Sequence, residues 1–226
     1  VALRADNNGE GGILALYALL RKMKRKWIYL LAIIGASTLL ADGIITPAIT
    51  VTTAIEGLES ISPHLPVIPI TLGIITIIFF VQRFGTESIG KSFGVFMLIW
   101  FLLLGVTGAF SITSYPLILK AFNPYYAAML LAKSPEWFLI LGAVFLCTTG
   151  AEALYSDLGH CGRKNITISW LFVKAMLILN YLGQGAWVLN HIQTASSVNP
   201  FFSIMPQSML IFAIIMATGA AIVASQ

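Results

Sequence analysis

Charge is what this sequence has least of. Only 10% of its 226 residues are charged and 58% are apolar, whereas soluble domains carry about 25% charged residues. Too few charged groups remain to cover a water-soluble particle of this size, so the composition points to a membrane protein. Cysteine is also scarce. Cys147 sits inside an apolar run and Cys161 in a polar connection, which leaves no disulfide framework and no C-x-x-C metal signature. The chain opens on Val1-Ala2-Leu3-Arg4, with neither an initiator Met nor a signal-peptide pattern, and reads as an excerpt of a longer protein. The segment RADNNGEGG at 4–12 lacks the G-x-x-x-x-G-K-[ST] order that sets a lysine against phosphates, so it is read as a tight turn and not a nucleotide loop. The net charge of +4 does not argue for nucleic acid, because the basic residues are clustered between apolar stretches.

Those apolar stretches are the main content of the chain. Runs long enough to cross a bilayer, for which about 20 residues are needed, predict six spans at about 27–55, 67–82, 93–113, 137–155, 166–189 and 207–226. The first is long and the second short, so tilt or extension past the bilayer is expected of them. Residues 1–26 form the preceding loop, in which LALYALLRKMKRK at 14–26 joins an apolar stripe to a basic cluster. That pattern fits a surface-lying cytoplasmic helix or a solvated connector. Counting connections, Arg4, Arg21, Lys22, Lys24, Arg25, Lys26, Arg83, Lys91, Arg163 and Lys164 fall on one side and only Lys120 and Lys133 on the other. The bias places the first group in the cytoplasm. Several of the five tryptophans lie near predicted interfaces, while Trp100 is deeper.

Depth gives two carboxylates their meaning. Asp42 follows Lys26 by 16 residues and precedes Glu56 by 14, about 24 Å and 21 Å along a helix, so it lies near the midplane. A carboxylate there costs at least a few kcal/mol and is expected to face the bundle interior, where it binds, pairs or carries a proton. The alternative is a structural Asp bonded to a neighbouring helix. Thr46 and Thr50, at i+4 and i+8, stay within about 80° of Asp42 on one face. Pro47 between them has no N–H and frees the carbonyl of Gly43. A carboxylate, two hydroxyls and a freed carbonyl together suit a cation, although threonines in membrane helices often only bond back to their own backbone.

The fourth run repeats the pattern. Glu152 lies 15 residues after Trp137 and 11 before Arg163, with Thr149 on its face and Gly150 between them as a helix breaker. Two acids at matching depth, each with threonine beside it, suit a desolvated monovalent cation that needs several oxygen ligands. Pairing of Glu152 with Lys174 is the structural alternative. Lys174 is read as structural, and Asp157, His160 and Arg163 as charges at the cytoplasmic mouth.

The chain resembles the potassium uptake permeases known as KUP/HAK/KT. Four stretches carry the likeness: ALRADNNGEGGILALYALL at 2–20, ADGIITPAITV at 41–51, GAEALYSDLGHCGR at 150–163 and LNYLGQGAWVL at 179–189. The resemblance implies an all-α polytopic helix bundle, part of the inverted five-plus-five repeat of the amino acid/polyamine/organocation superfamily. It also implies potassium import, typically coupled to protons, in the cytoplasmic membrane and without a cofactor. Potassium, proton and membrane lipid are then the partners, nucleic acid is not, and the assembly is left open between monomer and homodimer. Carried over by position, the family's potassium ligands fall on Asp42, Thr46, Thr50, Thr149 and Glu152, and Glu152 is the proton-coupling candidate. The family's Gly-Asp-Ile-Gly-Thr-Ser-Pro-Leu-Tyr motif, which adds an acid and a tyrosine to the ion site, is expected to precede Val1. Serine is common in relatives where Thr50 stands, and Lys174 occupies a stretch that is often wholly apolar.

Two other functions compete. An amino-acid permease of the same superfamily would meet its substrate carboxylate with bare helix N-termini, which acids at the site oppose. An intramembrane aspartyl protease needs two acids close enough to share a proton, and the sequence lacks a Gly-x-Gly-Asp partner. Transport is therefore expected, not enzymatic activity.

Overall fold

The structure is a computed structural model and describes residues 7, 10–23, 25–60, 66–82, 87–147, 150, 155, 162–195 and 198–224. Among them the elements are helical apart from one isolated bridge between Asn7 and Glu10. In chain order the helices are α1 (Ile13–Leu20), α2 (Lys26–Glu56), α3 (Val67–Gln82), α4 (Glu87–Ser114), α5 (Pro124–Lys133), α6 (Trp137–Leu146), α7 (Arg163–Asn190), α8 (Pro200–Ser203) and α9 (Leu210–Ala224). Short 3₁₀ turns join several of them.

Among the described residues, four helical stretches are long and apolar enough to cross a membrane: Lys26–Glu56, Phe93–Ser114, Lys164–Asn190 and Gln207–Ala224. Two shorter apolar helices, Val67–Phe80 and Trp137–Leu146, accompany them. The 31 residues of α2 reach about 46 Å, the full bilayer with its headgroups rather than the hydrocarbon alone. Their outward side chains are apolar, with Leu40 73% and Ile44 75% exposed. Such a surface is unsuited to water and suited to lipid. The ten residues of α6 reach only about 15 Å. The helix closes with the Cys147 N–H on the Ala143 carbonyl. Gly150 follows with φ 97°, a left-handed conformation that a residue with a Cβ adopts only at a cost.

The chain forms two compact units, Val1–Ala41 with Lys120–Phe172, and Asp42–Leu119 with Val173–Gln226. In the first, α1 turns back alongside the start of α2. Ile13 lies against Gly35, and the Tyr17 and Tyr29 rings are 6.2 Å apart. Tyr155 and Ile166 are buried together, with Leu16 packed against them. The entry to α5 is built from Asn123, whose side-chain oxygen accepts the Tyr125 N–H at 3.0 Å, and from Pro124 in the first turn. Proline there loses nothing, since the first N–H groups of a helix have no partner inside it.

The second unit holds most of the core. Val51 is fully enclosed, and around it lie Ala54, Ile55, Ile78, Phe202, Ile214 and Ala217. Trp100, too deep in the sequence for an interfacial belt, packs here edge-on to Phe201 with centroids 5.7 Å apart. Helices α4 and α7 cross almost backbone to backbone at Gly108 and Gly183. A Cβ on Gly108 would strike the Leu179 carbonyl oxygen, and one on Gly183 would sit 2.5 Å from the Gly108 Cα. The Ser111 hydroxyl donates to the Gly183 carbonyl at 2.7 Å and ties the crossing. Small residues and a polar tie are what hold helices together where lipid removes the hydrophobic drive.

Candidate cation site

Helix α2 runs unbroken through Pro47, and threonine hydroxyls take up much of the polar work along its second half. Thr46 Oγ1 donates to Asp42 Oδ1 at 3.1 Å. Thr50 Oγ1 donates to the Thr46 carbonyl at 2.7 Å, with a longer approach of 3.4 Å to the Pro47 carbonyl. Asp42, Thr46 and Thr50 are all half-buried. The i, i+4, i+8 spacing therefore becomes a hydrogen-bonded stripe, Thr50 to the Thr46 backbone and Thr46 to the Asp42 carboxylate.

The direction of these bonds decides what the stripe can hold. Each hydroxyl gives its proton to an acceptor, so its oxygen keeps lone pairs that only a donor or a cation can use. The Asp42 carboxylate accepts one bond from Thr46 and retains further acceptor capacity. Pro47 brings no N–H to the Gly43 carbonyl, and beside Gly43 the space is open, with no heavy atom within 4 Å of where a Cβ would stand. The groups that the stripe leaves with spare acceptor capacity are all oxygens. An alkali cation uses such a set and an anion cannot. Among the described residues no cluster of three or more His, Cys, Asp or Glu side chains could hold a transition metal or a divalent ion.

Thr149 and Glu152 lie outside the described residues, as do Asp157 and His160. Lys174 is on α7, exposed. Of the five sequence-predicted ligands, the structure thus describes Asp42, Thr46 and Thr50, which it links along α2.

It also places residues that the sequence reading passed over. Thr50 lines a cavity of about 500 Å³ in the second unit, together with Thr53, Asn180 and Gln184. Asn180 and Gln184 lie four apart in the C-terminal half of α7. Two amides on one face of a membrane-length run were the signal that could have found them.

A bundle of membrane-length apolar helices, one bearing a carboxylate and hydroxyl stripe, defines a multi-pass membrane protein. The chain belongs to one family within that class: residues 1–226 match the K+ potassium transporter integral membrane domain. It is 51% identical to the probable potassium transport system protein Kup of Flavobacterium psychrophilum, over 100% of this chain and 36% of that protein. It is 55% identical to the probable Kup of Latilactobacillus sakei subsp. sakei, over 100% of this chain and 35% of that protein. The chain accordingly spans little more than a third of the length of these relatives. No solved structure matches it.

Proposed function

We propose that the chain contributes part of the ion path of a potassium importer, a transporter and not an enzyme, in the cytoplasmic membrane. The observation that carries this reading is the stripe on α2, where Thr50, Thr46 and Asp42 are linked by hydrogen bonds in which each hydroxyl gives up its proton and keeps its lone pairs. The relatives' names, probable potassium transport system protein Kup, support potassium as the ion. In this reading Asp42, Thr46 and Thr50 act with Thr149 and Glu152 as potassium ligands, and Glu152 carries the coupled proton. Six spans alternate across the membrane from a cytoplasmic N-terminal segment, residues 1–26, as part of an inverted five-plus-five repeat. The short α6 and the left-handed Gly150 suit a discontinuous helix, the element that exposes backbone carbonyls to ions in such folds. Motion of a helix bundle against a scaffold opens the site to each side in turn.

Potassium-limited growth of an uptake-deficient strain tests the reading. The full-length protein is expected to restore growth, and Asp42→Asn and Glu152→Gln to abolish it while still inserting in the membrane. Near-normal uptake by either variant would remove that residue from the site. Rubidium uptake that amino acids compete away would favour the amino-acid permease instead.

A further inference from the structure

Three cations meet at the corner between α1 and α2. Arg21 closes α1, with its backbone N–H on the Tyr17 carbonyl, and a 3₁₀ turn leads on toward Lys26 at the start of α2. The Ile28 N–H donates to the Arg25 carbonyl at 3.1 Å, which fixes Arg25 at the entry to that helix. Ile13 against Gly35 and the Tyr17 ring beside Tyr29 hold the two helices together, so the corner has a set shape. Arg21, Arg25 and Lys26 line a cavity of about 210 Å³ there, and among the described residues no acidic side chain lines it. All three are exposed, and their long stems let the charged ends reach an ion inside.

An anion answers two electrostatic faults of this corner. Like charges around one cavity repel, and Arg25 and Lys26 stand at a helix N-terminus, the end where the macrodipole disfavours cations. No acidic residue offsets them in the first turn of α2. A phosphate would do so, since guanidinium groups bind it through paired hydrogen bonds and its charge suits the α2 N-terminus.

The surroundings name the source of the phosphate. Lys26 is 16 residues from Asp42, about 24 Å along α2, and half a bilayer with its headgroups is about 20–22 Å. With Asp42 near the midplane, the cavity stands level with the headgroups. The adjoining surface is apolar. A second cavity of about 180 Å³ shares Tyr17, Leu20 and Ile28 with the first, adds Leu16, Trp27 and Leu31, and has no charged side chain among its described lining residues. Leu14, Trp27 and Leu30, at 72%, 57% and 58% exposure, extend that flank outward. A soluble phosphate makes no use of such a surface, whereas an acyl chain does. Basic residues just outside a span, beside apolar surface, are the pattern that anionic lipid recognises.

We propose that the α1–α2 corner binds an anionic phospholipid, with its phosphate among Arg21, Arg25 and Lys26 and an acyl chain against the apolar flank. The lipid then ties α1 to the start of α2. The site is separate from the cation stripe and stands whether or not Asp42 binds potassium.

The experiment titrates dioctanoyl-phosphatidylglycerol into the purified full-length protein in a neutral detergent and reads affinity from the rise in unfolding temperature. Arg21→Gln/Arg25→Gln/Lys26→Gln should weaken that lipid about 100-fold, the combined loss of three basic contacts. Lys22→Gln, next to Arg21 but outside the lining, should stay near the parent. Arg25→Gln alone should lose about fivefold and carries the test if the triple variant does not insert. Dioctanoyl-phosphatidylcholine should bind the parent about tenfold more weakly than phosphatidylglycerol, and glycerol 3-phosphate, a phosphate without chains, should not compete. Equal affinity in the parent and the lining variants overturns the site. Equal binding of phosphatidylcholine reduces it to apolar contact and overturns the phosphate's role, and competition by glycerol 3-phosphate assigns the corner to a soluble anion and overturns the lipid.

Discussion

Replacing Gly108 by alanine puts one methyl group where α4 and α7 meet. An ideal Cβ there collides with the Leu179 carbonyl oxygen and lies 2.6 Å from the Asn180 Cα. Both are backbone, so neither can swing aside as a side-chain end would. The helices must part, and overpacking of this kind costs about 1–3 kcal/mol. Parting them stretches the Ser111 to Gly183 hydrogen bond of 2.7 Å, adding about 1 kcal/mol. Alanine's better helix propensity returns up to about 1 kcal/mol, so the net loss should be about 1–3 kcal/mol. Gly73→Ala is the control. It is also helical, but a Cβ there meets nothing within 4 Å, so only the propensity gain remains. The assay is thermal unfolding of the purified full-length protein in detergent, with both variants measured against the parent. Gly108→Ala should melt below the parent and Gly73→Ala at or above it. Gly183→Ala should repeat the loss, and the Gly108→Ala/Gly183→Ala pair should cost less than the two losses together, because both methyls spoil one contact. A Gly108→Ala protein that melts with Gly73→Ala would refute the backbone crossing.

Two further outcomes are expected. Thr46→Val deletes the hydroxyl that donates to Asp42 Oδ1 and should raise the KM for rubidium about 10–100-fold, the worth of a hydrogen bond to a charged group, while Thr46→Ser stays near the parent; equal uptake by all three proteins would detach Thr46 from the site. Single cysteines replacing Lys22 and Lys120 in a cysteine-free background should differ in labelling by an impermeant maleimide, with position 120 reacting on intact cells and position 22 only after permeabilisation. The reverse pattern would invert the orientation assigned from the basic residues.

Helix α2 was legible in the sequence because everything that defines it is local. An apolar run of the right length marks the span, and the 3.6-residue period puts Thr46 and Thr50 on the Asp42 face. The same period could not say where the hydroxyl protons go, and that direction turns three polar residues into a set of lone pairs. For α6 hydropathy was a weaker guide. The apolar run continues to Tyr155, whereas the helix closes at Leu146 and Gly150 takes a positive φ, a matter of backbone torsion that side-chain polarity does not record. Asn180 and Gln184 escaped notice for a different reason. Their surroundings are set by Gly108 and Ser111, some 70 residues earlier in the chain, and no periodicity within α7 reports a contact that distant.

The glycine crossing has a mechanical consequence. Helices separated by interlocked side chains can change rotamers and slide over one another in small steps. Where bare backbone meets bare backbone there are no rotamers to change, and at Gly108 and Gly183 the two axes are effectively pinned. Helix α4 and the C-terminal half of α7 must then swing as one stiff strut. Any hinge within this unit lies away from that crossing, and Asn180, one turn from the pin, keeps its bearing.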